Sequence, residues 1–341
     1  MANVVLNGAT LPIARYRFTF RAEDNLRLPE YAGSLLRGQF GAALRRTACI
    51  TGLKHCPDCP LFRTCAYPAI FETPAPAQHA LQKFSHVPNP YVIEPPPFGA
   101  RDIAAGDSLS FNVVLIGRAL GQLPLIVYAL QRALSDGLCK RRTQATLTAV
   151  EWEDGETRVP VWDAERSRVL EHQPGLEVPA FADCEAVTLH FHTPLRLQHQ
   201  GQPLPVNQLS PRALVTTLLR RASLLFELHA DRSGVVTDPH ELAARAEQLQ
   251  DERCLQWLDW TRYASRQAQE RILGGCAAIS GHCCHGSGSA NGSTLVRVRS
   301  WGWAVTGLYS IRHRIPVLHD DLFRQPPSWR RRMGATARDH G

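Results

Sequence analysis

The stretch that decides the fold is EYAGSLLRGQFGAALRRTAC, residues 30–49, continued by ITGLKHCPDCPLFRTCAYPAIFE, residues 50–72. In the first part apolar residues recur at helical spacing and share one face: Leu36, Phe40 and Leu44. Three basic residues lie away from that face or at its flank: Arg37, Arg45 and Arg46. The pattern predicts an amphipathic helix over residues 30–48 with a basic outer surface. Such a surface is usually only solvated, but its arginine density favours contact with RNA.

The second part is a four-cysteine knuckle spaced C-x6-C-x2-C-x5-C, formed by Cys49, Cys56, Cys59 and Cys65. A C-x2-C step lets two thiolates reach one ion from a tight turn, and four thiolates suit tetrahedral zinc. An iron–sulfur cluster is the alternative, because the thiolate set does not separate the two. Buried unliganded thiols are a further interpretation, which the prolines and polar residues among the cysteines disfavour. His55 is a possible substitute ligand.

Length and charge set the wider frame. The chain has 341 residues, which favours about two domains, and 44% of them are hydrophobic, enough for a core in each. Its formal net charge is +7, nearly all of it from arginine, so an anionic partner is plausible. Ordinary drift towards arginine in a GC-rich genome would give the same excess. The sequence shows neither a secretory leader pattern nor an apolar run long enough to span a membrane. We therefore expect a cytoplasmic protein whose ten cysteines are thiols or metal ligands.

Working outward, the first 152 residues alternate strand and helix patterns. Strands are predicted at residues 14–20, 107–116 and 143–152, and helices at 30–48 and 122–135, with a Pro-rich loop that includes YVIEPPPFG. This order fits a ferredoxin-like (RRM-like) βαββαβ domain over residues 1–152, with the cysteine knuckle, residues 49–65, as an insertion.

The rest of the chain repeats the plan. Residues 153–183 are predicted to be a linker with room for a hairpin. Residues 184–311 are predicted to form a second ferredoxin-like domain. A strand is expected at residues 185–195, a helix beginning at Ser210-Pro211, another helix at 239–250 and a strand at 255–266. The basic residues 312–341 are predicted to be a disordered tail.

A second basic segment, TRYASRQ, spans residues 261–267 after an aromatic strand. Its arginines, Arg262 and Arg266, and Tyr263 can stack on unpaired bases and pair with phosphate. Without further context a surface turn would be the simpler interpretation. His86 and His199 fall in predicted loops, where a lone histidine is seldom a general base.

Several of these pieces together resemble the CRISPR-associated repeat-RNA endoribonucleases of the RAMP superfamily. The resemblance covers about residues 12–275 and rests on motif order: LRGQFGAALRRTAC, CPDCPLFRTCAYPAIFE, YVIEPPPFG, LVTTLLRRASLL and LDWTRYASRQ followed by LGG. It implies an α+β protein of two tandem ferredoxin-like domains. It also implies metal-independent cleavage of precursor CRISPR RNA within each repeat, leaving a 2′,3′-cyclic phosphate and a 5′-hydroxyl, with zinc only structural.

On this interpretation the RNA is held by Arg37, Arg45, Arg46, Arg262, Arg266 and Gln267. Tyr263 is the candidate catalytic residue. CRISPR repeat RNA is the expected partner, other CRISPR effector subunits are further candidate partners, and no contact with a membrane is expected. Two alternatives stay open: a non-catalytic RNA-binding subunit of a CRISPR effector complex, and a cysteine-ligated redox or regulatory protein.

The sequence departs from the family after about residue 275, where a glycine-rich loop near the C-terminus is expected. Reading from the third base of each codon, Trp301 to Ala304 must encode Gly-hydrophobic-Gly whatever codons are used. We therefore expect that a frameshift or a sequencing error has removed the loop. The second domain would then be truncated or altered, its last strand lost and its activity doubtful. The cluster of Cys276, His282, Cys283, Cys284 and His285 would be no metal site.

Overall fold

The structure is a computed structural model of the chain. It describes residues 4–6, 9–76, 87–139, 142–154, 157–174, 186–189, 191, 193–199, 201–230, 239–253, 255–264, 269–278 and 296–299. The predicted tail and the histidine–cysteine cluster after Cys276 lie outside these residues, as does His86.

The first half contains eleven strands and three α-helices among its described residues. The strands are β1 (Val4–Leu6), β2 (Ala9–Leu11), β3 (Ile13–Ala22), β4 (Leu26–Leu28), β5 (Tyr91–Glu94), β6 (Arg101–Ile103), β7 (Ser108–Ile116), β8 (Ala145–Asp154), β9 (Thr157–Pro160), β10 (Trp162–Asp163) and β11 (Arg168–Val169). The helices are α1 (Gly33–Ala48), α2 (Ala66–Phe71) and α3 (Leu123–Ser135).

One antiparallel sheet, in the order β5-β7-β3-β8-β9, organises this half. Numbered along the βαββαβ unit, its first four members stand in the order 2-3-1-4, which is the ferredoxin-like arrangement. The predicted fold class is therefore confirmed here by strand order. The sheet continues beyond residue 152, because β9 pairs with β8, and Val161 is buried in the same core.

The core lies between this sheet and the helices α1 and α3. Every second residue of β3 faces it, and the aromatic members Tyr16, Phe18 and Phe20 are fully buried. The predicted face of α1 is confirmed, since Leu36, Phe40 and Leu44 are at most 1% exposed. Burying apolar side chains of this size contributes about 1.5–3 kcal/mol each, so this seam holds α1 on the sheet.

Glycine 41 allows α2 to close onto α1. A Cβ at Gly41 would lie only 2.2 Å from Cζ of Phe71, so any larger residue would push α2 away. Phe71 in turn stacks on Tyr91 of β5, with ring centroids 5.9 Å apart. The knuckle between α1 and α2 is thereby attached to the sheet at both of its ends.

The prediction that YVIEPPPFG is a loop was wrong for its first four residues. Tyr91–Glu94 form β5, whose register places Tyr91 opposite Leu115. The prolines after Glu94 limit the strand to one edge of the sheet, where the missing amide donors cost nothing. The linker does carry a hairpin, formed by β10 and β11.

The described second half has seven strands and two α-helices. These are β12 (Ala186–Leu189), β13 (Gln198–His199), β14 (Gln202–Pro203), α4 (Pro211–His229), α5 (Pro239–Glu247), β15 (Gln250–Arg253), β16 (Leu255–Ala264), β17 (Gln269–Ala278) and β18 (Val296–Arg299). The predicted start of α4 is confirmed, because the Ser210 hydroxyl accepts a hydrogen bond from the Ala213 amide at 3.1 Å.

The second sheet has the order β12-β18-β15, with β18 antiparallel to both neighbours. β12 and β15 are therefore parallel, joined through α4, with a third strand between them. This is the relation that β3 and β5 have across β7 in the first half. The strand β18 comes from the region after residue 275 and takes the place that β7 has in the first sheet. Among the described residues no strand takes the place of β8, the last strand of the first βαββαβ unit, so the expected loss of the last strand stays a prediction. β16 and β17 form a separate ten-pair hairpin.

The C-terminal part of α4 packs on the face of the first sheet that α1 and α3 leave open. Leu225 and Phe226 are buried against an apolar corner of that face: Val92, Val114 and Ile116. Nε2 of the buried His229 lies 2.7 Å from the carbonyl oxygen of Pro88. No helix in the described ranges has the length and hydropathy needed to cross a bilayer.

Candidate nucleic-acid interface

Arg37 is held against the first domain by aromatic rings. Its Nη1 donates to the hydroxyl of Tyr91 at 2.9 Å. Its guanidinium carbon lies 4.7 Å from the ring centroid of Phe71 and 5.7 Å from that of Tyr91. A half-buried cation over aromatic faces gains about 0.5–2 kcal/mol. Arg37 therefore joins α1 to α2 and β5, besides its predicted role in RNA binding.

Arg45 joins α1 to the knuckle. Its Nη2 donates to the carbonyl oxygens of Leu53 and Lys54, at 2.6 and 2.8 Å. The guanidinium also lies 6.0 Å from the ring centroid of Tyr67 in α2. Two charge-assisted bonds to consecutive carbonyls fix the first loop of the knuckle on the end of α1.

Arg46 is the most accessible of the three helix arginines. Its Nη2 pairs with Asp136 at 2.5 Å, and its side chain is 46% exposed. Exposed ion pairs contribute about 0–1 kcal/mol, so a phosphate can replace Asp136 at little cost. All three predicted arginines of α1 thus have partners within the chain, and their contact with RNA remains a prediction.

The second predicted group lies on a different element. Arg262 and Tyr263 are near the end of the β16–β17 hairpin, where the register pairs them with Arg271 and Glu270. Arg266 and Gln267 lie outside the described residues. The structure therefore places the two groups on separate halves of the chain, α1 in the first and the hairpin in the second.

The sequence analysis missed a third basic row, on β3 itself. Alternate residues of ARYRFTFRA point away from α1 and α3, and three of them are Arg15, Arg17 and Arg21. Hydroxyl groups continue the row, with Thr19 Oγ1 and Ser110 Oγ 3.1 Å apart. The signal was present as the alternation of arginine with apolar residues, but only the apolar half was used to place the strand.

This open face has a neutralised end and a basic end. Arg15 pairs with Glu94 at 2.6 Å and also with Glu153, so its charge is balanced within the sheet. Among the described residues Arg21 pairs with Glu23 at 3.6 Å, and its side chain is 54% exposed. Because α4 covers the corner near Arg15, the accessible part of the face is the end near Arg21.

Two histidines of the described residues, His199 and His172, have the side chain that most often serves as a general base. His199 lies in the short strand β13 and is exposed, and no feature of its surroundings distinguishes it. His172, not singled out before, lies with Nε2 3.0 Å from the hydroxyl of Tyr16 and Nδ1 2.9 Å from the Leu170 carbonyl. Burial raises the pKa of Tyr16. Since Tyr16 is fully buried, its hydrogen bond with His172 fastens the linker to the core.

The knuckle cysteines lie at the end of α1, in the turn Cys56–Asp58 and just before α2. The Gly52 amide makes the largest contribution to lowering the pKa of the Cys49 thiol, and Thr51 and Arg45 add to it, against a smaller effect of desolvation. In the described part of the chain no three histidine, cysteine, aspartate or glutamate side chains are gathered closely enough to hold a metal ion. His55 Nδ1 lies 2.9 Å from Asp58 Oδ2. Four thiols on one short knuckle nevertheless form the donor set that zinc prefers.

Comparison with known proteins gives limited likenesses. The family model described as AF_1859_N, N-terminal domain, matches residues 11–174. None of the curated proteins compared with the chain matches it.

Among solved structures, the chain is similar to a Cas6 product complex, with 16% identity, a TM-score of 0.44, and 86% of this chain and 87% of that one covered. It is similar to a chain of a partial Cas6-RT-Cas1–Cas2 complex, with 11% identity and a TM-score of 0.44. That likeness covers 87% of this chain and 41% of the other. It is also similar to a structure described as a RAMP protein binding different RNA substrates, with 9% identity and a TM-score of 0.38. That likeness covers 84% of this chain and 88% of the other. These likenesses are weak, and the fold assignment rests on the strand order.

Proposed function

We propose that this protein binds CRISPR repeat RNA and cleaves the precursor within each repeat. The observation that carries the proposal is the open face of an RRM-like sheet, where the exposed Arg21 lies beside the half-buried hydroxyl groups of Thr19 and Ser110. The motif order of the chain resembles that of the repeat-RNA endoribonucleases. Arginine and hydroxyl groups are suited to phosphate, and single-stranded RNA is the usual ligand of such sheets.

The proposed reaction needs no metal ion at the reaction centre. The ribose 2′-oxygen attacks the adjacent phosphate, its proton passes to a base, and the 5′-oxygen leaves with a proton, giving a 2′,3′-cyclic phosphate and a 5′-hydroxyl. The protein must align the 2′-oxygen in line, accept its proton and stabilise the charge on the phosphorane. We assign Tyr263 to proton transfer, because it is the titratable residue of the basic hairpin segment.

The RNA-binding assignments follow from the same proposal. Arg46 on α1 and Arg21 on β3 are exposed and weakly paired, so they are available for phosphate. We assign three residues to binding the RNA on either side of the cleavage site at Tyr263: Arg262, Arg266 and Gln267. Arg37 and Arg45 would act mainly by holding α2 and the knuckle in place for the RNA.

Tyr263→Phe is expected to reduce repeat-RNA cleavage about 100-fold, the usual contribution of a general acid or base, with RNA affinity unchanged. The assay uses the full chain with EDTA present, and the product is tested for a 2′,3′-cyclic phosphate. Tyr128→Phe is the matched control, since Tyr128 is 52% exposed on α3 and should keep full activity. A 2′-deoxy substitution at the cleavage site should abolish the reaction.

Tight binding of repeat RNA without any cleavage would instead support the second candidate, a non-catalytic RNA-binding subunit of an effector complex. If the chain as given is what the cell makes, this candidate is favoured, because the sequence after residue 275 lacks the family's glycine-rich loop. Failure to bind repeat RNA at low ionic strength, where phosphate contacts are strongest, would contradict both.

We also infer that the region after residue 275 results from a frameshift or a sequencing error in the gene. The forced Gly-hydrophobic-Gly in the shifted frame at Trp301–Ala304 supports this. Resequencing codons 270–312 should reveal the missing or extra base. An unchanged reading frame, together with an active enzyme, would contradict the inference.

A further inference from the structure

The cysteine knuckle has no apolar core of its own. Of residues 49–65 none is buried, and the only ones turned partly inward are the four cysteines and Phe62. The larger aliphatic residues point outward instead: Ile50 is 88% exposed, Leu53 44% and Leu61 38%. A loop of this length that buries nothing needs another source of order, because each fixed residue costs about 1–2 kcal/mol of backbone entropy.

The backbone of the knuckle directs polar hydrogens at sulfur. Gly52 has a left-handed φ of 68°, a conformation that favours glycine, and its amide donates to Sγ of Cys49 at 3.3 Å. The hydroxyl of Thr51 lies 3.4 Å from Sγ of Cys59. The Gly52 amide, as a donor to sulfur, stabilises the thiolate form of Cys49, and the thiolate is the form that binds metals.

The remaining contacts keep the four cysteines on one small unit. The Cys59 amide donates to the Cys56 carbonyl at 2.9 Å, which closes the C-x2-C turn. Sγ of Cys65 lies 3.9 Å from the carbonyl oxygen of Ala48, the residue before Cys49. The four thiols are not gathered at one point in this structure, so a bound ion would have to draw them together.

From this arrangement we propose that Cys49, Cys56, Cys59 and Cys65 bind one structural Zn²⁺, which replaces the core that the knuckle lacks. Four thiolates on Zn²⁺ carry a net charge of −2, and Arg45 at the end of α1 with Lys54 and Arg63 of the knuckle would offset it. Arg45 is bonded to the carbonyls of Leu53 and Lys54, so the ion also orders the arginine end of α1. The inference rests on the knuckle alone and is independent of RNA cleavage.

The metal content of the full chain, purified without chelator, tests the site. We expect one zinc per chain, lost in Cys56→Ser and in Cys59→Ser. Cys139→Ser is the matched control and should retain it, because Cys139 is outside the knuckle and contacts the carbonyl of Arg27. Titrating the wild-type protein with a thiol-reactive mercurial should release one zinc per chain as the knuckle thiols react, a measurement that does not depend on the variants folding.

Limited trypsin digestion gives a second readout. Lys54 and Arg63 are exposed cleavage sites within the knuckle and should resist trypsin when zinc is bound. Removing the ion should open both sites in the wild type and in Cys139→Ser. Protein without stoichiometric metal, knuckle variants with the same zinc content as the control, or a visible absorption band with bound iron would each overturn the zinc assignment.

Discussion

Gly117→Ala should lower the free energy of unfolding by about 3 kcal/mol, because it combines backbone strain with a clash between the two halves of the chain. Gly117 has a φ of 56°, which alanine rarely adopts. An added Cβ would lie 2.0 Å from the carbonyl oxygen of His229, at the end of α4. Since the Cβ is fixed to the backbone of residue 117 and the oxygen belongs to the backbone of His229, neither can move aside without displacing α4 from the first sheet.

The measurement is urea unfolding of the full chain, followed by circular dichroism. Gly121→Ala is the control, since Gly121 lies in the same short helical turn and its Cβ would meet nothing within 4 Å. It should change the stability by less than about 0.5 kcal/mol, or raise it slightly through the unfolded chain. Equal effects of the two substitutions would mean that α4 does not rest on Gly117.

Phe40→Ala should cost about 4 kcal/mol, the usual loss when a fully buried phenylalanine is truncated. Phe40 is 1% exposed and its ring meets those of Tyr91 and Phe71, with centroids 5.3 and 6.0 Å away. Those two rings also hold the guanidinium of Arg37. The substitution should therefore weaken RNA binding as well as the fold.

Thermal and urea unfolding will measure the loss, with Phe40→Leu expected to cost about 1–1.5 kcal/mol because it fills most of the space. Tyr128→Ala is the matched control, an aromatic residue removed from the exposed side of α3, and should leave stability within about 0.5 kcal/mol. A loss at Phe40 no larger than that at Tyr128 would contradict the assignment of the core.

The helices were the most predictable part of this fold. Leu36, Phe40 and Leu44 are spaced to face one neighbour whatever that neighbour is, and Ser210 caps α4 through contacts within its own turn. Local signals of this kind are present in the sequence. The strand β5 was missed because its four residues are flanked by prolines, and its partner β7 lies beyond the reach of any local pattern.

The interface was harder to predict for the same reason. Arginines of α1 were read as free to bind RNA, but whether Arg37 faces an aromatic ring depends on where β5 and α2 come to lie. Whether the row that includes Arg17 and Arg21 forms an open face depends on tertiary structure. β3 must be central in the sheet, with helices on one side and α4 covering one corner of the other side.

The order of strands in the second sheet has a consequence for synthesis on the ribosome. β12 and β15 do not touch each other, and the strand that joins them, β18, is made only after residue 295. The first sheet is complete once Pro160 has been added, so it can fold while the ribosome is still translating. The second must wait with two unjoined strands, and nascent chains halted before β18 should expose edges that chaperones and proteases recognise.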